Sequence, residues 1–287
     1  MAPTVSFEFF PPRSLEASFK LWDTVQSLAC LDPTFVSVTY GAGGTTRDLT
    51  RDAVKALHGS AGLNVAAHLT CVNASRDETL TIADEFAEVG VTEIVALRGD
   101  PPQGEATFTP HPHGFANSCE LIEALARTRK FKIRVGAYPE AHPEAVSMQA
   151  NIDWLKRKID AGADEAITQF FFEADTFFRF RDACADAGIS APIIPGILPI
   201  ENWRGAQRFA ATCGTSVPAW LTDAFSKAER DGREDLLATA VATELCSKLV
   251  EGGAEHLHFY TLNKPEMTRD VCMALGLRSR ARLREVA

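Results

Sequence analysis

The chain has 287 residues, of which 46% are hydrophobic and 23% charged, with a formal net charge of −9. That balance belongs to a globular protein with a core to bury, and its acidic sign argues against a duplex nucleic-acid binder, whose affinity rests on Lys and Arg neutralising phosphates. The start, MAPTVSFEFFPP, lacks the pattern of a secretory signal, no apolar run approaches the roughly 18–20 residues of a membrane span, and the seven cysteines never fall in CxxC spacing. A cytoplasmic protein with reduced thiols is expected, without membrane or nucleic-acid partners.

The pattern then alternates from end to end. A strand is expected at 5–10 and a helix at 15–29, a strand at 35–40 and a helix at 47–58, a strand at 65–70 and a helix at 76–89. A strand at 93–98 precedes a helix at 119–128, one at 133–138 precedes a helix at 148–161, and one at 165–170 precedes a helix at 174–187. After a seventh strand at 193–197 comes a longer interval, with helices around 204–212, 219–230 and 236–251, before an eighth strand at 256–261. Each strand is short and mostly apolar, as parallel strands covered on both faces are. Eight βα units with no linker or repeat predict a (β/α)8 TIM barrel as a single domain over 1–287.

That fold makes a sharp expectation: chemistry sits in the loops at the strand C-termini, not at the strand starts. The polar residues at those ends are Glu8, Thr39, Tyr40, His68, Thr70, Arg98, Asp100, Tyr138, Glu140, His142, Gln169, Tyr260, Thr261 and Asn263. Glu8 stands in Ser6-Phe7-Glu8-Phe9-Phe10, where three phenylalanines would desolvate the carboxylate and raise its pKa toward that of a general acid. The alternative is that it pairs with an arginine and lines the barrel mouth. Gly99, between Arg98 and Asp100, lets backbone approach a ligand closely.

Other features read less specifically. Gly41-Ala42-Gly43-Gly44 followed by Thr45-Thr46 is either a phosphate cradle or a loop into the next helix, and it lacks Walker spacing. His111 and His113 have no further metal ligands at useful spacing, so no metal site is expected. Lys156-Arg157-Lys158 is a solvated helix face or a diphosphate clamp at the barrel rim. Gln169 can donate and accept together, which suits the edge of a fused heterocycle.

Several blocks carry a resemblance. SFEFFPPR at 6–13, FVSVTYGAGG at 35–44, HLTC at 68–71, IVALRGDPP at 94–102, AYPEAHPEA at 137–145, KRKIDAGADEAITQFFFEADTFFRF at 156–180, PIIPGILPI at 192–200 and HFYTLN at 258–263 resemble methylenetetrahydrofolate reductases in order along nearly the whole chain. The resemblance implies reduction of 5,10-methylenetetrahydrofolate by a hydride passed from NADH or NADPH through FAD, with the two substrates using one site in turn. It implies that Glu8 is the general acid toward folate, and that Asp100 assists beside flavin and pterin. It further implies that Gln169 and Phe209 contact folate, and that Thr39, His68, Arg98, Gly99, Tyr138, His142, Arg157 and Lys158 hold FAD. Asn117, Asn151 and Trp154 depart from the family pattern at the adenosine end. Two enzyme alternatives stay open, a flavin-free reductase with direct hydride transfer and a folate-binding methyltransferase barrel. A non-enzymatic binding protein is a third. A homo-oligomer is expected, without a C-terminal regulatory domain.

Overall fold

The computed structural model describes residues 2–40, 47–101, 104 and 107–277, and every count here refers to those residues. The loop of Gly41 to Thr46 lies outside them.

Strands and helices alternate as β1 (Thr4–Phe9), α1 (Leu15–Ala29), β2 (Phe35–Val38), α2 (Arg47–Gly59), β3 (Val65–Thr70), α3 (Arg76–Glu88), β4 (Glu93–Leu97), α4 (Ser118–Thr128), β5 (Lys132–Ala137), α5 (Met148–Asp160), β6 (Glu165–Thr168) and α6 (Ala174–Asp186). They continue as β7 (Ile193–Ile194), β8 (Gly196–Ile197), α7 (Trp203–Cys213), α8 (Ala219–Asp231), α9 (Glu234–Glu251), β9 (His256–Tyr260) and α10 (Glu266–Ala274). Side-chain caps start several of these helices. Ser14 accepts from Ala17, Ser75 and Glu78 form a reciprocal capping box, and Ser147 accepts from Ala150.

All strands pair in parallel, in the order β7-β6-β5-β4-β3-β2-β1-β9-β8. The ring closes through Pro195. β7 pairs with β6 and β8 with β9, and Pro195 alone separates the two. The expected strand at 193–197 is therefore present in two halves, because proline has no N–H to give a ladder. Its carbonyl still accepts from the His258 N–H at 3.0 Å. Gly196 follows because nothing larger fits: a Cβ there would lie 2.1 Å from the Thr168 carbonyl oxygen and 2.6 Å from the Tyr260 ring.

Two apolar layers result from the alternation of side chains along each strand. Outward residues such as Phe7, Phe9, Val36, Val38 and Leu69 pack with Leu21, Val25, Leu28, Val54 and Leu57 of the helices. Each such large side chain contributes about 1.5–3 kcal/mol by leaving water. Phe35, Ala66, Val95, Ile167 and Ile194 form a second, smaller cluster inside the barrel. Strands two and six are shorter at their C-terminal ends than the pattern suggests. Thr39 and Gln169 still donate to Phe9 and Ala137, at 3.0 and 2.7 Å, and the chain then turns away. α10, which the sequence pattern did not mark, buries Met267, Val271 and Cys272 and packs beside α9. Among the described residues no helix is long and apolar enough to cross a membrane.

Candidate active site

The carboxyl end of the barrel converges on Glu8. Its flanking Phe7 and Phe9 are in the outer layer, so they do not surround the carboxylate, which faces the lumen. Its Oε2 lies 3.3 Å from His68 Nε2 on β3 and 3.9 Å from His258 Nε2 on β9. Both approaches are within reach of ionic attraction, but the first misses hydrogen-bond geometry and the second is too long for a hydrogen bond, and each Nε2 is buried without a hydrogen-bond partner. Burial pushes the Glu8 carboxyl up, but the imidazoles of His258 and His68 outweigh it and hold its pKa down to about 2. This corrects the expectation of a raised pKa. Residues adjacent in a strand point to opposite faces, and the lumen neighbours of Glu8 are imidazoles rather than phenyl rings.

His258 is fully buried, and burial pushes its pKa down against the pull of Glu8. Its Nδ1 is 2.7 Å from the Ser6 hydroxyl. Thr261 on the far side donates to the Glu8 backbone carbonyl at 2.6 Å, and Tyr260 donates to the Thr168 carbonyl at 2.6 Å. The buried Thr70 hydroxyl, two residues after His68 on the same strand face, has no hydrogen-bond partner either. Thr39 stands half-buried just past the end of β2.

Around the rim the loops brace one another. Arg98 forms a two-pronged pair with Glu144 at 2.5 and 3.0 Å and lies over the Phe108 ring. Gly99 has φ +89, and a Cβ would lie 2.8 Å from Val72 Cγ1, so the turn that presents exposed Asp100 demands glycine. Tyr138 meets His142 edge-on at 4.7 Å, and burial, with Asp100 nearby, pushes the Tyr138 phenol up to about 12. Burial also pushes the His142 imidazole down. Gln169 is half-buried, its Oε1 accepting from the Phe170 N–H. Phe209 of α7 is exposed and stacks on Phe170 with ring centres 5.2 Å apart.

The basic triplet on α5 divides. Arg157 is exposed, its guanidinium 4.7 Å from the Trp154 ring centre. Lys158 is turned inward, its ammonium donating to the Gly136 carbonyl at 2.8 Å, and burial pushes its pKa down to about 8. Asn117 caps α4, accepting from Cys119 and Glu120. Asn151 spans the loop after β5, donating to the Tyr138 carbonyl and accepting from the His142 N–H. His111 and His113 sit together, and no group of three His, Cys, Asp or Glu side chains among the described residues could hold a metal ion. Ser6, His258 and Glu144 escaped the reading of strand ends. The signal for the first two was the polar alternation in Thr4-Val5-Ser6-Phe7-Glu8 and His256-Leu257-His258-Phe259-Tyr260.

These features define an α/β-barrel protein with a carboxylate and imidazoles gathered at its carboxyl mouth, the end where such barrels act on small molecules. Comparison with known proteins gives the family. The chain matches the methylenetetrahydrofolate reductase family model over residues 1–276 and belongs to that family. It is 45% identical to the 5,10-methylenetetrahydrofolate reductases of Salmonella typhimurium and Escherichia coli, over 96% of this chain and 91% of each relative. It is 37% identical to methylenetetrahydrofolate reductase (NADH) 1 of Arabidopsis thaliana, of whose length it covers 48%. Among solved structures, an uncharacterised Clostridium thermocellum protein that binds two copies of 5-methyl-5,6,7,8-tetrahydrofolic acid shares the fold, with a TM-score of 0.62 at 15% identity over 96% of this chain and 94% of that one. Dihydropteroate synthase of Thermus thermophilus is a more distant barrel, with a TM-score of 0.51 at 11% identity over 96% and 92% of the two chains. Membership makes the chain an oxidoreductase that reduces methylenetetrahydrofolate.

Proposed function

We propose that the chain reduces 5,10-methylenetetrahydrofolate to 5-methyltetrahydrofolate with a hydride from NADH or NADPH that passes by way of FAD. The nicotinamide and the folate use the barrel mouth in turn. The observation that carries the reading is Glu8, a single carboxylate at the centre of the mouth, beside buried polar atoms that lack partners, in a chain of this family. When bound, the flavin supplies the hydride chemistry.

The residues present fit such a group. His68 Nε2 and the Thr70 hydroxyl are buried and unsatisfied, a state that costs about 1–3 kcal/mol per group unless a ligand relieves it. Arg157 offers a guanidinium to a diphosphate, and Trp154 beside it a flat surface. Arg98, Tyr138, His142 and Thr39 complete the cofactor side with Gly99. Lys158 serves there by fixing the end of β5. Asp100, Gln169 and Phe209 face folate: the carboxylate and amide hydrogen-bond the pterin edge, and the phenyl ring covers it.

Glu8 donates the proton that opens the five-membered ring at the folate nitrogen. To do so it must first be protonated, which its imidazole neighbours oppose in the free enzyme. Entry of folate excludes water and leaves the two imidazoles beside it, His68 and His258, as the groups that can hand Glu8 a proton.

A visible spectrum of the purified protein, followed without oxygen through addition of NADH and then methylenetetrahydrofolate, tests the proposal. Flavin bands that bleach with the first and return with the second are expected. A second reading, direct hydride transfer without flavin, is favoured by Asn117 and Asn151, whose amides are engaged in the protein's own loops. A colourless protein that oxidises NADH only when methylenetetrahydrofolate is present would select it.

A further inference from the structure

β1 and β9 run parallel and in register, pairing Thr4 with His256, Ser6 with His258 and Glu8 with Tyr260. Alternate residues of each strand face the lumen, so hydroxyls and imidazoles alternate down the barrel axis. Thr4 Oγ1, which can also donate to the Glu255 carbonyl at 3.1 Å, is 2.7 Å from His256 Nδ1, His256 Nε2 is 2.8 Å from Ser6 Oγ, and Ser6 Oγ is 2.7 Å from His258 Nδ1. His258 Nε2 then faces Glu8 Oε2 across 3.9 Å, the one link longer than a hydrogen bond. Thr4 is exposed at the amino end of the barrel, His256 is half-buried, and Ser6 and His258 are fully buried.

We propose that Thr4, His256, Ser6 and His258 form a proton-conducting string that joins solvent at the amino face of the barrel to Glu8 at the carboxyl face, and that it reprotonates Glu8 while substrate seals the mouth. The proposal rests on the reading of Glu8 as the acid.

The exchange balances. With folate bound, His258 gives its Nε2 proton to Glu8 and takes one at Nδ1 from Ser6. Ser6 takes one from His256 Nε2, His256 Nδ1 takes one from Thr4, and Thr4 takes one from water. Glu8 passes its proton to folate. Both imidazoles stay neutral and exchange tautomer. After product leaves, Glu8 accepts a proton from water at the open mouth and returns it to His258, the string reverts, and Thr4 releases one proton to solvent. The net is one proton taken from water and one delivered to folate.

The surroundings enforce neutral passage. Both rings stack on Phe35 of β2, at 5.7 and 5.6 Å. Arg134 and Lys132 of β5 face His256 and, with burial as the larger cause, hold its pKa down to about 3. Glu165 of β6 and Glu93 of β4 are paired with Arg134, Glu165 also with Lys132, and so offer His256 no free counter-charge. His68 of β3 approaches Glu8 at 3.3 Å and also acts on His258, adding to the burial that pushes its pKa down. An imidazolium is thus disfavoured at either ring, and tautomer exchange is the route that needs none.

The decisive variants are His256→Phe, which keeps a ring against Phe35 but removes both nitrogens, and Thr4→Val, which removes one hydroxyl with little change of shape. Each is measured across pH 6–9 in folate reduction and, separately, in NADH oxidation by an artificial electron acceptor, alongside Glu8→Gln. With the string cut, Glu8 is protonated only from bulk water before folate enters. Folate reduction should fall on the order of tenfold at neutral pH, less than loss of the acid itself, and decline more steeply with rising pH than in the native enzyme. NADH oxidation should be unchanged. A native rate and native pH profile in both variants, with folate reduction abolished in Glu8→Gln, would overturn the string and leave the acid assignment standing. Folate reduction that survives Glu8→Gln would remove the acid assignment instead. If His256→Phe does not fold, Thr4→Val decides alone.

Discussion

The two ends of the barrel lumen use the same kinds of residue to opposite effect. At the amino end, buried Arg134 pairs with Glu93 and with Glu165, Lys132 reaches Glu165 at 2.6 Å, and Asn64 adds a hydrogen bond to Glu93. The guanidinium also lies 3.7 Å from the centre of the Phe35 ring. Every charge there has its partner. At the carboxyl end Glu8 meets two imidazoles at 3.3 and 3.9 Å, and His68, His258 and Thr70 keep buried atoms without hydrogen bonds. A closed network fixes strand register, whereas an open one waits for a ligand to complete it. One face is built for stability, and the other is the one we propose for chemistry.

The largest expected effect lies at the open end. Glu8→Gln should slow folate reduction by about 10²–10⁴-fold, the usual share of a general acid, while NADH oxidation by an artificial acceptor continues. An equal loss in both reactions would mean that Glu8 shapes the mouth and does not serve as the acid. Next comes the closed end. Arg134→Met strands Glu93 and reduces Glu165 to its lysine, so denaturant unfolding should lose about 3–5 kcal/mol. NADH oxidation by an artificial acceptor in the molecules that remain folded should change little. A variant of native stability with impaired turnover would reverse the division between the two ends.

Much of this architecture is legible in the sequence because it follows from period. Short apolar runs separated by amphipathic stretches define the eight barrel strands, and the rule of strand C-termini selects Glu8, His68, Arg98, Asp100, Tyr138 and Gln169, all of which the fold brings to one end. What escaped followed from pairing rather than period. Ser6 and His258 gain their meaning only when β1 and β9 lie in register, and that closure joins residues some 250 apart in the chain. His256 and Thr4 begin strands, where the rule of strand C-termini is silent. The Glu8 environment is hidden in the sequence for a related reason: neighbours along a strand point to opposite faces and are not neighbours in space. Glu144, four residues after Glu140, gave no sign that it would clamp Arg98.

Lys158 belongs to neither end and sharpens the contrast between them. It is a buried ammonium whose single described hydrogen bond is to the Gly136 carbonyl, with no carboxylate beside it. The folded protein releases its proton near pH 8 and the unfolded chain near its ordinary value of 10.5. Below pH 8 both states hold the proton and burial of the cation counts fully against folding. As pH rises from 8 toward 10.5 the unfolded chain binds more protons, so this position disfavours folding less. The penalty at neutral pH is at most about 3 kcal/mol for a shift of this size. Lys158→Met, which keeps length and removes charge, should therefore raise the unfolding free energy at pH 7 by about 1–2 kcal/mol once the lost bond to Gly136 is counted, with the gain shrinking as pH approaches 10. The same substitution should weaken FAD retention if the lysine fixes the end of β5 for the cofactor. Unfolding curves at pH 7 and pH 9.5, read beside the flavin content of each preparation, separate the two effects. A loss of stability at pH 7 would place Lys158 with the closed floor, as a residue whose hydrogen bond outweighs its burial.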